Sequence, residues 1–216
     1  ANPQALSTQA QSIVAIAAFG AKGDLSGLKN ALNTGLEVGL TISEIKEVLL
    51  HLYAYAGFPR SIRGLQTFME VVSERKARGI QDEEGAAASP ITGTGNKYDR
   101  GKRILSTLTG TLPPDSLTGY GAFAPTMDTF LKEHLFADIF ERDVLTYAQR
   151  ELVTVSVLST IGGVEPMLRA HLAICLNVGL KPAGLQQFVQ IIKRAIGKQE
   201  GSAAQTELNE VLNKRK

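Results

Sequence analysis

The feature that most constrains the fold is an internal repeat, in which residues 11–40 can be laid over residues 150–180 with one extra residue in the second copy. In each copy leucines recur every four residues and the run ends in Val-Gly-Leu. This spacing predicts an amphipathic helix that stops at a glycine in a left-handed cap. The chain is therefore predicted to contain two similar helical units. The matching positions are Leu28, Leu32, Leu36, Val38, Gly39 and Leu40, and Leu168, Leu172, Leu176, Val178, Gly179 and Leu180.

Each copy follows the order helix, turn, helix, Val-Gly-Leu turn, helix, and no segment alternates apolar and polar residues as a strand would. We therefore predict an all-α protein whose two tandem copies pack about a pseudo-twofold axis. Residues 1–78 form the first copy, the turn-rich residues 79–100 form a linker, and residues 101–216 form the second copy with a helical lead-in. Because one unit buries little surface alone, association into a homo-oligomer, a dimer or trimer, is expected.

Local patterns predict several helix boundaries. Thr41 and Glu44 have the spacing of a capping box, so the third helix is expected to begin there. Gly57-Phe58-Pro59 should end that helix, and the next is expected from about Arg60 to Arg78. In the lead-in, a set of bulky apolar residues is expected to cover the core of the repeats: Phe130, Leu131, Leu135, Phe136, Ile139 and Phe140.

Composition excludes several classes of function. A net charge of +2 is too small to indicate a polyanionic partner, so nucleic acid binding is not predicted. No apolar run approaches the roughly 18 to 20 residues that a membrane span needs. One cysteine, Cys175, excludes a disulfide or a paired-thiol cycle within the chain. The first residues, Ala1-Asn2-Pro3, fit a cytoplasmic protein or one exported after removal of a signal peptide.

Several segments together resemble the carboxymuconolactone decarboxylase family. Residues 49–59, Leu-Leu-His-Leu-Tyr-Ala-Tyr-Ala-Gly-Phe-Pro, are similar to the end of that family's longest motif. Residues 150–155 and 168–172, with the Asn-Val-Gly-Leu of 177–180, are similar to the stretch from its Arg-[Glu or Ser]-Leu helix through its histidine-bearing helix, and residues 130–140 are similar to its lead-in. The resemblance covers roughly residues 8–75 and 120–198, and it implies a tandem-repeat member of the wider alkylhydroperoxidase-like superfamily.

The resemblance also argues against dithiol chemistry. In the alkylhydroperoxidase-type proteins of this superfamily, a glutamate is followed by Cys-x-x-Cys-x-x-x-His. Glu151 and His171 occupy the acid and histidine positions here, but Val164 and Met167 replace the two cysteines. A peroxidatic cycle needs one thiolate to attack the oxidant and a second thiol to resolve the product. In the first copy the cysteine positions hold Asp24 and Gly27, the histidine position holds Ala31, and Ser12 replaces the glutamate.

The three histidines are candidates for proton transfer, because imidazole titrates near neutral pH. His171, with Glu151 on the preceding antiparallel helix, is predicted to be the catalytic acid, and His134 is the second choice. His51 shares a helix face with Tyr55 and is a candidate for substrate binding. For each histidine, a purely structural role in a polar seam is the competing interpretation.

Glu151 lies in an apolar helix and needs a partner if it is buried: Arg150, Arg169 or His171. Either arginine is alternatively a surface residue, or holds a substrate carboxylate through its bidentate guanidinium. Tyr55 and Phe58 are predicted walls of a pocket between the two copies.

The resemblance implies a carboxy-lyase that acts on a small carboxylated lactone without a metal or an organic cofactor. The conjugated lactone carbonyl would accept the electrons left by carbon dioxide, and the acid would protonate the resulting dienolate. One alternative is a non-catalytic helical binding or scaffold protein. Another is a peroxidase that uses Cys175 alone, but this residue lies between Leu172 and Leu176 on an apolar face, where a buried thiol is expected.

Overall fold

A computed structural model describes residues 5–216, and all regular structure in this part of the chain is helical. The prediction of an all-α fold is confirmed. Ala1, Asn2 and Pro3, on which the two possible locations depended, lie outside the described residues. The helices are α1 (Thr8–Lys22), α2 (Leu25–Glu37), α3 (Ile42–Ala56), α4 (Phe58–Ala77), α5 (Lys97–Thr109), α6 (Gly119–Phe123), α7 (Pro125–Phe130), a π-helix (Leu131–Ile139), α8 (Tyr147–Ile161), α9 (Glu165–Asn177), α10 (Pro182–Ala195) and α11 (Lys198–Lys214).

The ends of α3 and α4 show how the sequence sets the boundaries. Thr41 accepts a hydrogen bond from the Glu44 amide and Glu44 accepts one from the Thr41 amide, so the predicted capping box is present. Gly57 ends α3 with φ 88°, a left-handed value that favours glycine. The predicted start of α4 at Arg60 was two residues late, because Pro59 lies in the first turn, where its missing N–H costs no hydrogen bond.

Helices α1 and α8 form the centre of the molecule and pack against each other. Each also packs on the third helix of the other half, α1 on α10 and α8 on α3. If α1–α4 are matched in order with α8–α11, the contact of α1 with α10 corresponds to the contact of α8 with α3. Two copies related by a twofold axis would show this correspondence. The duplication itself, like the division at residues 79–100, stays a prediction.

The lead-in forms a second, smaller core rather than a cover for the first. Its buried members are Leu108 of α5, four residues of the π-helix region and Ile174 of α9. Phe130, predicted to cover the repeats, is 60% exposed instead, because it ends α7 on the outer side of this layer. The members of the small core from the π-helix and its C-terminal cap are Leu135, Phe136, Ile139 and Phe140.

In the described chain no helix combines the length and the apolar character needed to cross a lipid bilayer. The same residues contain no group of three or more histidine, cysteine or acidic side chains arranged to bind a metal ion.

Candidate functional site

Glu151 and His171 meet in the interior between α8 and α9. The Nδ1 atom of His171 lies 2.8 Å from Oε2 of Glu151. The carboxylate of Glu151 is fully buried, as is every residue of α8 from 150 to 159. The imidazole of His171, on α9, is 15% exposed. Of the three partners considered for this acid, the structure supplies His171.

This geometry favours the charged imidazolium. Burial alone would lower the pKa of His171, but the negative charge of Glu151 and the hydrogen bond to it outweigh burial, and the pKa is raised. When Nδ1–H donates to Glu151, Nε2 is the ring nitrogen left for another molecule, since no described residue bonds to it. A cationic N–H beside a buried carboxylate is a suitable proton donor.

Two residues of α3 close over this pair. The ring of Tyr55 packs edge-on against His171, with 5.9 Å between ring centroids, and at a tilt of 42° against His51, with 5.5 Å between centroids. Burial, and then the negative charge of Glu151, raises the pKa of Tyr55, so its phenol stays protonated. Tyr55 Oη and Glu151 Oε1 are buried without a hydrogen-bond partner among the described residues. Unpaired buried polar atoms are rare, and two of them belong to residues that contact His171.

His51 belongs to a fixed hydrogen-bond network beside the pair. Its Nδ1 lies 3.1 Å from a terminal nitrogen of Arg150, and its Nε2 lies 3.0 Å from the Thr154 hydroxyl. Because a guanidinium only donates, Nδ1 must accept, and Nε2–H donates to Thr154. Burial, with the positive charges of Arg150 and His171, lowers the pKa of His51 well below its usual value. His51 is therefore a neutral imidazole of one tautomer.

The two predicted carboxylate-binding arginines are engaged within the protein. Arg150 is fully buried and bonds to Glu47 at 2.9 Å and to the Arg142 carbonyl at 2.8 Å, besides His51. Its Nε has no partner among the described residues. Arg169 bonds to Glu207 of α11 at 2.7 Å and is 41% exposed, which agrees with the alternative interpretation as a surface residue.

His134 and Phe58 lie at a different place, in a groove of about 1190 Å³ between α3, α4 and the π-helix. His134 Nδ1 is 3.0 Å from Asp138, and its Nε2 bonds to the hydroxyl of Tyr53, whose ring stacks on Phe58 at 4.3 Å. The predicted catalytic and pocket residues thus fall into two groups. The apolar wall of the groove is formed mainly by Ile62, Leu65, Phe68, Met69 and Val72.

Glu47 and Arg142 connect the two groups. Arg142 makes a bidentate ion pair with Glu47, at 2.7 and 3.0 Å, and both residues line the groove. Burial opposes the charge of Glu47, but its bonds from Arg142 and Arg150 lower its pKa. A continuous polar chain therefore runs from the groove through Arg150 to His51.

Among the residues of these groups that sequence reasoning missed are Tyr53, Asp138, Glu47 and Arg142. Two carried a usable signal, because Glu47 precedes His51 by four residues and Asp138 follows His134 by four, which places each pair on one helix face. The other two meet their partners only through tertiary packing.

Cys175 is fully buried, and burial raises the pKa of its thiol well above the usual value. The negative charge of Glu151 acts in the same direction. A buried neutral thiol is a poor nucleophile, so the structure gives no support to single-cysteine peroxidase chemistry.

Comparison with known proteins adds a family likeness for the first half. The family model for the carboxymuconolactone decarboxylase family matches residues 1–68. An uncharacterized protein of Methanocaldococcus jannaschii is 31% identical over 70 residues, which are 32% of this chain and 65% of the relative. The match therefore spans less than two thirds of the relative's length. The family match includes His51, Tyr55 and Phe58, and ends before the other predicted site residues.

Proposed function

We propose that the protein is a duplicated member of the carboxymuconolactone decarboxylase family and that it decarboxylates a small carboxylated lactone by proton transfer. The family match at residues 1–68 supports membership. The sequence repeat and the exchangeable contacts of α1, α3, α8 and α10 support the duplication. The observation that carries the proposed chemistry is the hydrogen bond between Glu151 and His171, which come from separate helices.

In the proposed reaction, the bond between a ring carbon and the carboxylate carbon breaks and carbon dioxide leaves. The electron pair of that bond moves into the conjugated lactone carbonyl and gives a dienolate. His171 then transfers its Nε2 proton to the dienolate carbon, and a solvent proton restores the imidazolium. The overall reaction consumes one proton for each molecule of carbon dioxide that it releases.

The surroundings of His171 support two parts of this reaction, the proton transfer and the stabilisation of the oxyanion. Glu151 keeps the imidazole protonated and oriented, as a buried carboxylate does for a catalytic histidine. Tyr55 presents a protonated hydroxyl with no partner among the described residues, so it is the proposed donor to the developing lactone oxyanion. Arg150, proposed to bind carboxylate, would act instead as a buried positive charge behind His51, since its terminal nitrogens are already bonded.

The proposal is tested by incubating the purified protein with carboxylated muconolactones and measuring carbon dioxide release. His171→Gln and Glu151→Gln should each lower kcat about 10²- to 10⁴-fold, the usual contribution of a general acid. Glu165→Gln, which removes an exposed acid on the same helix as His171, is the matched control and should keep full activity. Folding is checked by circular dichroism. Turnover that persists in the folded His171→Gln variant would exclude this residue as the acid.

One observation favours the alternative of a non-catalytic binding protein. The groove is mostly apolar, and Phe58, Ile62 and Met69 expose 62%, 50% and 70% of their surface along it. Exposed apolar surface of this kind is typical of interaction sites. A binding protein would release no carbon dioxide from any carboxylated lactone, yet it would bind an apolar fluorescent probe in the groove, and Met69→Glu would weaken that binding.

A further inference from the structure

A separate cavity of about 450 Å³ lies in the first half of the chain, between α1 and α2, with α10 as its outer wall. Its volume falls within the usual range for small-molecule sites. Ser12 and Ala31 lie on its inner side, Phe19 and Ile191 are among its apolar walls, and Arg194 is the one charged residue among the described residues that line it.

This cavity occupies the position that corresponds to the Glu151–His171 pair. In the sequence repeat, Ser12 corresponds to Glu151 and Ala31 to His171, and the structure brings Ser12 and Ala31 together in one cavity. In both sites one wall is formed by the third helix of the other half of the chain. This helix is α10 at the cavity and α3 at the Glu151–His171 pair. A serine and an alanine have less side-chain volume than a glutamate and a histidine, and this difference contributes part of the space.

The cavity has the chemistry of a binding site for an anion with an apolar body. Ser12 is 6% exposed, and its hydroxyl has no hydrogen-bond partner among the described residues. Arg194 is exposed at the rim and makes no ion pair within the described chain. Ala15, Phe19 and Ile191 offer only apolar surface. A guanidinium at the mouth complements a carboxylate, and the walls complement a hydrocarbon or aromatic group.

We propose that this cavity is a second ligand site, which binds a small monocarboxylate with an apolar or aromatic body. The body contacts Phe19 and Ile191, the carboxylate pairs with Arg194, and Ser12 donates a hydrogen bond from inside. The site contains neither of the proposed catalytic residues, so it is independent of turnover at His171.

The test uses the full chain and two probes of nearly equal shape, benzoate and the neutral benzamide, titrated by NMR. Benzoate should bind at least about tenfold more tightly than benzamide, and its shifts should centre on Phe19 and Ala31. Arg194→Gln should weaken benzoate binding about tenfold or more, with no effect on benzamide. Lys193→Gln, which removes a neighbouring exposed cation outside the cavity, should leave both affinities unchanged.

A second variant tests the location. Ala31→Phe fills the cavity and should abolish binding of both probes. If Ala31→Phe fails to fold, Arg194→Gln still tests the proposal, because it changes an exposed residue. Equal affinity for the two probes, an unchanged affinity in Arg194→Gln, shifts centred elsewhere, or no binding at millimolar concentrations would each overturn the proposal.

Discussion

At the residue scale, two histidines that pack on Tyr55 differ in charge because their neighbours differ. His171 is paired with a carboxylate, which raises its pKa, whereas His51 faces a guanidinium, which together with burial lowers its pKa. Only the first can serve as a cationic acid near neutral pH. The sequence predicted the pairing of Glu151 with His171 from a motif position, but it left the partner of Arg150 open, because that contact joins residues 99 apart in the chain.

The His171 pair should make stability depend on pH. A raised folded pKa means that the stabilisation is fully present below the unfolded value of about 6.5 and is lost as pH rises through the folded pKa. Urea unfolding of the wild type and of His171→Gln should therefore differ more in free energy at pH 5.5 than at pH 9. A difference that is the same at both pH values would show that His171 does not hold its proton through Glu151.

At the element scale, the boundaries of the repeat helices followed from local chemistry, whereas the π-helix did not. Helix caps and leucine spacing depend on residues within about one helical turn of each other, so they can be recognised in the sequence. Helix α3 accordingly begins at its predicted capping box. The π-helix at Leu131–Ile139 packs closely against α5, a contact that no local pattern encodes. His134 lies on this π-helix, so its position in the groove, and not beside His171, could not be predicted from the sequence either.

Gly101 of α5 permits this close packing. A Cβ atom at this position would lie 1.7 Å from the backbone carbonyl oxygen of Lys132 in the π-helix. Gly101→Ala should force the two helices apart and lower the free energy of unfolding by about 1 to 3 kcal/mol. Gly121→Ala, whose Cβ would meet atoms only at ordinary contact distances, is the control and should be close to neutral. Denaturant titration of both variants measures this, and equal stabilities would refute the packing argument.

At the scale of the whole molecule, one large core joins the two halves. It includes Ile13 and Leu49 from the first half together with Val153 and Leu185 from the second. The sequence predicted which faces are apolar in each copy. It did not predict which helix of one half covers the other, since an amphipathic stripe shows only that a face is buried.

Because this core is shared, the two halves should unfold together. Urea unfolding followed by circular dichroism and by tyrosine fluorescence should give a single transition with the same midpoint. Substitution of Val153 by Ala should shift that midpoint in both signals equally. Two separated transitions would mean that the halves are independently stable.

The most direct test of the central claim is the pKa of the His171 imidazole, measured by NMR titration in the wild type and in Glu151→Gln, with the three histidines assigned by substitution. Glu151 should hold the pKa of His171 above 6.5 in the wild type, and this pKa should fall below 6.5 in the variant, where burial acts without the opposing carboxylate. A His171 pKa that is equal in the two proteins, or below 6.5 in both, would contradict it.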